Sequence, residues 1–597
     1  MRRICVLFFL LTLMPHLVNG QPSKATSMND AERLQKLFSD DWSWRMQEYP
    51  EFATSIGYPG QNHRWTDLSL PAIEKRKEHA RQNLKALKSI QRASLAEADK
   101  LDYDLFMRST RDDIDGQRFP SEYLAINQLG GVQQDVARMI MLMPTFAAAD
   151  YENIIARLNG VPVLVDQVML LLNKGLQDEI TPPAITLRDV PQQVLNQITE
   201  DPLQSPLMRP FDKMPETIAS VDRERLQQQA AAAISEKVAP AFRKLHEFLL
   251  TTYVPKARQS IGLSTVKDGR AWYEYAARVS TTTSMTPEEI HRLGLSEVQR
   301  IREEMGTIID DLGFRGSFEE FTDFLRNDSQ FFYKDAESLL AGYRDICKRA
   351  DPELSKLFGK LPRAPYGVIA VPSYAAPSQT TAYYQPGSLP AGRPGYFYAN
   401  TYALHTRPKW EMEALTLHEA VPGHHLQIML AQELEGVPEF RKHEGYTAFV
   451  EGWALYAESL GEEMGFYADP YSKFGQLTYE MWRAVRLVVD TGIHVMGWTR
   501  DEAINFFKEN SSKPEHDIIV EIDRYIAWPG QALAYKIGEL KIKELRKFAS
   551  NELGEAFDLR AFHDQVLGNG AVPLEVLEAQ VKAWMADKKA ALPAATK

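Results

Sequence analysis

Cysteine is almost absent from this chain, which has two, Cys5 and Cys347. Cys5 falls inside a leading apolar run, too early for a lipoprotein cysteine. A processed chain therefore keeps Cys347 alone and can form no internal disulfide, so stability must come from a buried core. Positive charge is also scarce: 68 Lys and Arg stand against 80 Asp and Glu, a balance that disfavours nucleic acid and anionic membrane as partners. Beyond the N-terminus no apolar run reads as long enough to span a bilayer, and no repeat of fixed period or long low-complexity tract is found.

The N-terminus itself reads as export. Arg2 and Arg3 precede an apolar run from Ile4 to Leu13 and the small pair Asn19-Gly20, the pattern of a secretory signal peptide over residues 1–20. Its removal changes the charge balance from 68 against 80 to 66 against 80, or −14, and leaves no membrane anchor. A periplasmic or secreted location follows. The remaining chain of about 577 residues is ample for a core and predicts two or more lobes.

Along that chain, residues 21–180 form an N-terminal helical region in which Ala31-Tyr49 and Pro71-Lys100 carry Leu, Ile and Ala at helical spacing. Residues 181–330 begin as a proline-rich connection, irregular from Pro182 to Pro215, and become helical again at Ile218. There Thr286-Pro287-Glu288-Glu289 is a strong helix start, with a run expected to Met305. Residues 331–597 hold a small sheet, the candidate metal site and C-terminal helices. Strands are expected at Pro365-Val371 and Gly395-Thr401, with Tyr383-Gly387 as a loop at the rim. Residues from Asp587 onward read as a frayed end.

The stretch from Trp410 to Gly436 concentrates the chemistry. It reads as a buried helix interrupted once, at His418-Glu419-Ala420-Val421-Pro422-Gly423-His424-His425. A His-Glu pair followed one turn later by a second His is the zinc-protease pattern, with both imidazoles on one metal and the Glu acting on its water. Here the second His is six residues on, which in an unbroken helix would put it about 240° away. Pro422 removes a backbone donor and Gly423 relaxes the chain, so a local bulge is expected to return His424 to the face of His418. His425 is the alternate second ligand. Glu419 shares the helix but points about 100° from His418, the place for a general base outside the ligand set. A third ligand is expected from the following helix, Gly445 to Gly461, where Glu451 and Glu458 lie seven apart. Glu451 is taken as the ligand and Glu458 as a solvated charge.

Two later stretches place polar groups where a core helix should have none. Arg483, Arg486, Asp490 and His494 make one stripe among Val and Leu. Around a break at Trp528-Pro529-Gly530 stand Arg524, Tyr525 and Tyr535. Arg486, His494, Arg524, Tyr525 and Tyr535 are thus the candidates for holding a substrate carboxylate or a developing oxyanion.

The segments His418-Gln427, Glu451-Tyr456 and Arg524-Ala532 resemble a widespread family of bacterial secreted proteins labelled as a domain of unknown function, and the likeness runs over nearly the whole processed chain. That family is in turn similar to carboxypeptidase Taq and the thimet oligopeptidase type of metallopeptidase. The resemblance implies a mainly α, zincin-like protein with two lobes around a channel and zinc on the His-Glu helix. His418 and Glu419 match the motif, His424 its second His across the Pro-Gly insertion, and Glu451 its later ligand. The expectation is Zn2+-dependent hydrolysis of short peptides; an amidase on cell-wall peptides with the same site, or a non-catalytic periplasmic peptide-binding protein, are the alternatives.

Overall fold

The computed structural model describes residues 28–373 and 376–591. The expected signal peptide, with Cys5, and the last six residues of the expected frayed end lie outside this range. Within it the chain is mainly helical with one small sheet.

The first helix, Asp30–Glu48, begins at a capping box in which Asn29 and Glu32 satisfy each other's backbone donors. It buries Leu34, Phe38 and Met46. The continuous pattern expected over Pro71-Lys100 is split instead into helices Leu70–Lys88 and Glu97–Gly116. At the break the Ser89 hydroxyl turns back onto the Ala86 carbonyl and holds the Arg33 guanidinium, taking up polar groups that a continuing helix would leave to water. The capping box at Thr286 and Glu289 is present, and its helix runs past Met305 to Asp311 because Ile309 continues the buried stripe.

The described residues bury a smaller core that includes Trp272, Leu487 and Ile537 and two large ones. One draws on both ends of the chain, from Leu34 and Phe38 to Val581 and Met585, and surrounds the His-Glu stretch. The other lies between Ile126 and Ala257 and is built around the helix Ala148–Gln177. By length and apolarity this helix is long enough to cross a membrane, contrary to the expectation that no such run follows the N-terminus. Here it serves as a core helix, with Tyr151, Ile154, Leu158, Val161 and Val165 fully buried. The proline-rich connection is also more ordered than expected. It forms short helices at Ala184–Leu187, Val190–Leu195 and Arg209–Asp212 that deliver Leu187, Val190, Val194 and Phe211 to the second core. Pro183 sits just before the first of these helices and Pro191 and Pro210 in the first turns of the others, where no backbone donor is needed, so a cluster of prolines does not exclude helix.

The sheet has three strands, β1 (Tyr366–Ala370), β2 (Ala382–Gln385) and β3 (Gly395–Ala399), in the order β1-β3-β2. β3 runs parallel to β1 and antiparallel to β2, with Val368 and Tyr384 both opposite Phe397. β2 replaces the rim loop expected at Tyr383-Gly387. Its four residues are too short for a visible alternation, and its pairing is supported by Tyr383 stacked on Tyr398 at 4.8 Å. The sheet packs beside the helix that carries His418.

Candidate metal centre

The His-Glu stretch is two helices, Met412–Glu419 and His424–Gln432, joined by a non-helical turn that contains a cis Val421–Pro422 bond. This differs from the bulge expected within one continuous helix. Pro422 has no amide hydrogen to continue the ladder. Gly423 comes so close to the end of the first helix that a Cβ there would lie 1.9 Å from the His418 carbonyl oxygen. A residue without a side chain lets the second helix start directly against the first, and His424 is brought back to His418.

The result is a compact donor cluster. His418 Nε2 lies 3.7 Å and His424 Nε2 3.3 Å from Glu451 Oε2, and the two imidazoles stand at 86° with centroids 4.8 Å apart. Among the described residues His418, His424 and Glu451 are the trio placed to share a metal ion. Four ligands on a tetrahedral zinc sit about 3.4 Å from one another, given bond lengths near 2.1 Å, so these separations suit that ion. Glu451 comes from the helix Thr447–Ser459, which is drawn inward by a glycine contact. Gly452 meets Gly538 of the helix Ala534–Leu553, where a Cβ on Gly452 would fall 2.4 Å from the Gly538 Cα.

His418 is oriented by a hydrogen bond, whereas His424 Nδ1 is buried with no hydrogen-bond partner among the described residues. The His418 Nδ1 hydrogen is donated to Glu458 Oε1 at 2.8 Å, which leaves Nε2 as the nitrogen that faces Glu451 and that a metal would take once its proton is displaced. Glu458 is fully buried, and Arg483 approaches the same oxygen at 3.4 Å. This corrects the expectation that Glu458 is a solvated charge. Burial disfavours charge on His418, but the flanking Glu451 and Glu458 carboxylates outweigh it and push the ring up to about 9. Burial likewise opposes charge on Glu451, yet the two histidines hold its carboxyl well below the usual range. Glu451 Oε2 is buried and accepts no hydrogen bond from the described residues, an oxygen left open toward both imidazoles. These features fit a divalent metal.

His425 stands apart. Its Nδ1 accepts from the Tyr384 hydroxyl at 2.8 Å and its Nε2 hydrogen goes to the Ala364 carbonyl at 3.1 Å. Burial depresses it to about 4, so the ring is neutral with both nitrogens engaged. It ties β2 and the approach to β1 onto the second helix, and it is not brought to the cluster. Glu419 ends the first helix, buried, and no described residue hydrogen-bonds to it.

The substrate-side candidates divide in the same way. Tyr535 is brought to the cluster, its ring nearly parallel to His418 at 6.5 Å. Arg524 donates to the Tyr535 hydroxyl at 3.1 Å, and the Arg486 guanidinium lies 4.4 Å from the Tyr535 ring centroid. Tyr525 is already saturated: its hydroxyl accepts from Trp482 Nε1 and Arg486 Nε and donates to Glu521 at 2.7 Å. It therefore holds Arg486 in place and is not free to meet an oxyanion. His494 is remote in role, since its Nε2 hydrogen goes to the Tyr525 carbonyl and its Nδ1 accepts from the Leu263 amide. Burial depresses it to about 4, as expected for a neutral core imidazole. Sequence reasoning passed over Glu521 and misjudged Glu458. The available signal was the setting of Glu458, seven residues from Glu451 in a helix whose other residues there are apolar.

Comparison with known proteins bears on this arrangement. No curated protein matches the chain. The crystal structure of a Colwellia psychrerythraea protein provisionally described as a lipoprotein is similar at 28% identity and a TM-score of 0.89, covering 94% of this chain and 100% of that one. A Shewanella oneidensis protein with the same provisional description and unknown function shares the fold at 18% identity and a TM-score of 0.68, covering 93% of this chain and 99% of that one. The family model described as bacterial protein of unknown function, DUF885, matches residues 50–581, and the chain belongs to that family.

Proposed function

We propose that the protein is a zinc-dependent peptidase that cleaves short peptides in the periplasm or outside the cell. The observation that carries this reading is the inward-facing trio His418 Nε2, His424 Nε2 and Glu451 Oε2, with the carboxylate oxygen left without a hydrogen bond. Zinc held by two imidazoles and a carboxylate supplies Lewis acidity and lowers the pKa of water toward about 7. Glu419, buried and without a hydrogen bond from any described residue, accepts the proton from water and hands it to the leaving amine. Tyr535, held at its hydroxyl by Arg524, donates to the carbonyl oxygen as negative charge grows there. The two large cores support a zincin-like arrangement of two lobes about a channel. The Arg2-Arg3 leader and the lipoprotein description of the Colwellia neighbour support an extracytoplasmic setting.

Glu419→Gln tests the chemistry, because it keeps the size and hydrogen bonding of the side chain but cannot take a proton. The variant is expected to retain one zinc per chain by elemental analysis and to lose at least about 100-fold in turnover of a mixed peptide library. Equal turnover by both proteins would sink the mechanism. Wild-type protein that neither binds a transition metal nor shows chelator-sensitive cleavage would sink the peptidase itself.

A further inference from the structure

The helices Thr447–Ser459 and Ala534–Leu553 meet backbone to backbone where Gly452 faces Gly538. Farther along the same pair, a crevice of about 260 Å³ lies between Tyr456 on the first helix and a polar stripe on the second. The stripe is Lys543, Arg546, Lys547, Ser550 and Asn551, spaced i, i+3, i+4, i+7 and i+8, which puts all five on one helical face. Every member can donate hydrogen bonds, and among the described residues no carboxylate lines the crevice. The acids outside it are already answered: Glu463 pairs with Arg546, while Glu539 and Glu480 lie 2.5 and 3.8 Å from Lys543 and both also pair with Lys536. Lys547 is exposed and pairs with no carboxylate among the described residues, and the Ser550 hydroxyl and Asn551 amide have no hydrogen-bond partner there. Arg546 is held in place by a chain of bonds from the core. The Leu357 carbonyl accepts from His563 Nδ1 at 2.9 Å, and the Tyr456 hydroxyl donates to His563 Nε2 at 2.8 Å and accepts from Arg546 Nη1 at 3.2 Å. Burial depresses His563 to about 3, so its Nε2 stays an acceptor. Like charges three or four apart on a helix repel, and an anion set between them turns that repulsion into attraction.

We infer that this crevice binds a phosphate-type oxoanion, either free phosphate or the phosphate group of a small ester. The site is independent of the peptidase reading: Tyr456 points about 140° around its helix from Glu451, so the crevice and the donor trio lie on different sides of that helix. A carboxylate offers two oxygens in one plane, which a single guanidinium satisfies. Two ammonium groups, a guanidinium, a hydroxyl and an amide on one face suit a tetrahedral group with three acceptor oxygens. The arginine supplies paired donors to two of those oxygens, and the lysines add point charges.

The test is titration calorimetry of the full chain with inorganic phosphate, glycerol phosphate and acetate at matched ionic strength, before and after metal is stripped with a chelator. One phosphate or one ester should bind per chain, about tenfold or more tightly than acetate, and should raise the melting temperature. Stripping should change neither. Arg546→Gln should weaken phosphate binding about tenfold or more, the scale of a charged hydrogen bond, and Lys547→Gln should weaken it several-fold. Lys547→Arg should keep it. Lys244→Gln, at an exposed lysine of the other large core, should bind as wild type does. Melting temperature without ligand shows that each variant is folded. Tighter binding of phosphate identifies the free ion as the occupant, and tighter binding of glycerol phosphate an ester; either supports the site. Binding that does not saturate, acetate held as tightly as phosphate, or undiminished affinity in both folded Gln variants would overturn the inference. Loss of binding on metal stripping would move the anion to the donor trio and overturn it equally.

Discussion

Glu458 and His425 lie in adjoining parts of one core, and their partners give them opposite meanings. Glu458 fixes the His418 tautomer through Nδ1, so replacing it with Gln should leave the fold intact and weaken metal affinity about 10–100-fold, read by competition with a chelator. An unchanged affinity would show that His418 is oriented by packing alone. His425→Ala removes the partner of both the Tyr384 hydroxyl and the Ala364 carbonyl. Denaturant melts should show a loss of about 1–3 kcal/mol, the cost of stranding buried polar groups, with metal content unchanged. Loss of metal from that variant, with His424→Ala retaining it, would exchange the two histidines. Nothing in the local sequence separates His424 from His425. The turn at Ala420–Gly423 decides which ring faces Glu451.

At the scale of elements, the joint between the two His-Glu helices is a tightly constrained piece of backbone at the site. Gly423→Ala would drive a methyl into the His418 and Leu417 carbonyls, at 1.9 and 2.4 Å. The expected outcome is a lower melting temperature together with weakened metal binding, because relief of the clash must move His424. Normal metal content in a folded Gly423→Ala protein would show that the turn can shift without carrying the ligand. The helix Pro470–His494 carries a different signal. Burial pushes its Asp490 up to about 7 from an ordinary value near 4, despite donors from Tyr273 and Gly530 and the distant pull of Arg524 and Arg486. The folded protein therefore holds this proton more tightly than the unfolded chain. Its contribution to stability is complete below pH 4 and is lost as pH rises through about 7, with a slope of at most about 1.4 kcal/mol per pH unit. Asp490→Asn should flatten this part of the stability profile between pH 4 and 7, and an unaltered profile would assign the slope to other groups. The stripe itself was legible as polar residues at helical spacing. Which of its members reach the site was not, because that depends on the neighbouring helix Glu515–Ala527.

Across the whole molecule, three helices far apart in sequence are joined by a buried ionic group. Lys536 is fully buried and pairs with Glu480 at 2.7 Å, Glu539 at 2.6 Å and Glu297 at 3.1 Å, while Arg300 and Lys543 reach Glu480 from the outside. Lys536→Met removes the central cation and leaves buried carboxylates short of a partner, so unfolding free energy should drop by about 3 kcal/mol or more. Adding Glu480→Gln should restore part of the loss, since the two residues act as a unit. Strict additivity in urea melts would count against a coupled network. These helices also carry Arg483, Arg486 and Tyr535, so the same group sets how these side chains sit against the donor cluster.

From its sequence alone the chain declares a mainly helical class, a short sheet ahead of the His-Glu stretch, the capping box at Thr286 and the residues that meet as the donor trio. Those features rest on local periodicity, on side chains that satisfy nearby backbone groups, and on the rarity of ionisable residues in apolar helices. Tertiary structure alone decided that Glu458 is buried, that Tyr383-Gln385 forms a strand, and that Tyr525 and His494 are spent within the core. In each case the outcome depends on partners in other elements, from the adjacent strand for Tyr383 to Leu263, 231 residues away, for His494. The exposure of a carboxylate, the pairing of four residues and the free lone pair of an imidazole are properties of a contact, and contacts of that range exist only once the chain has folded.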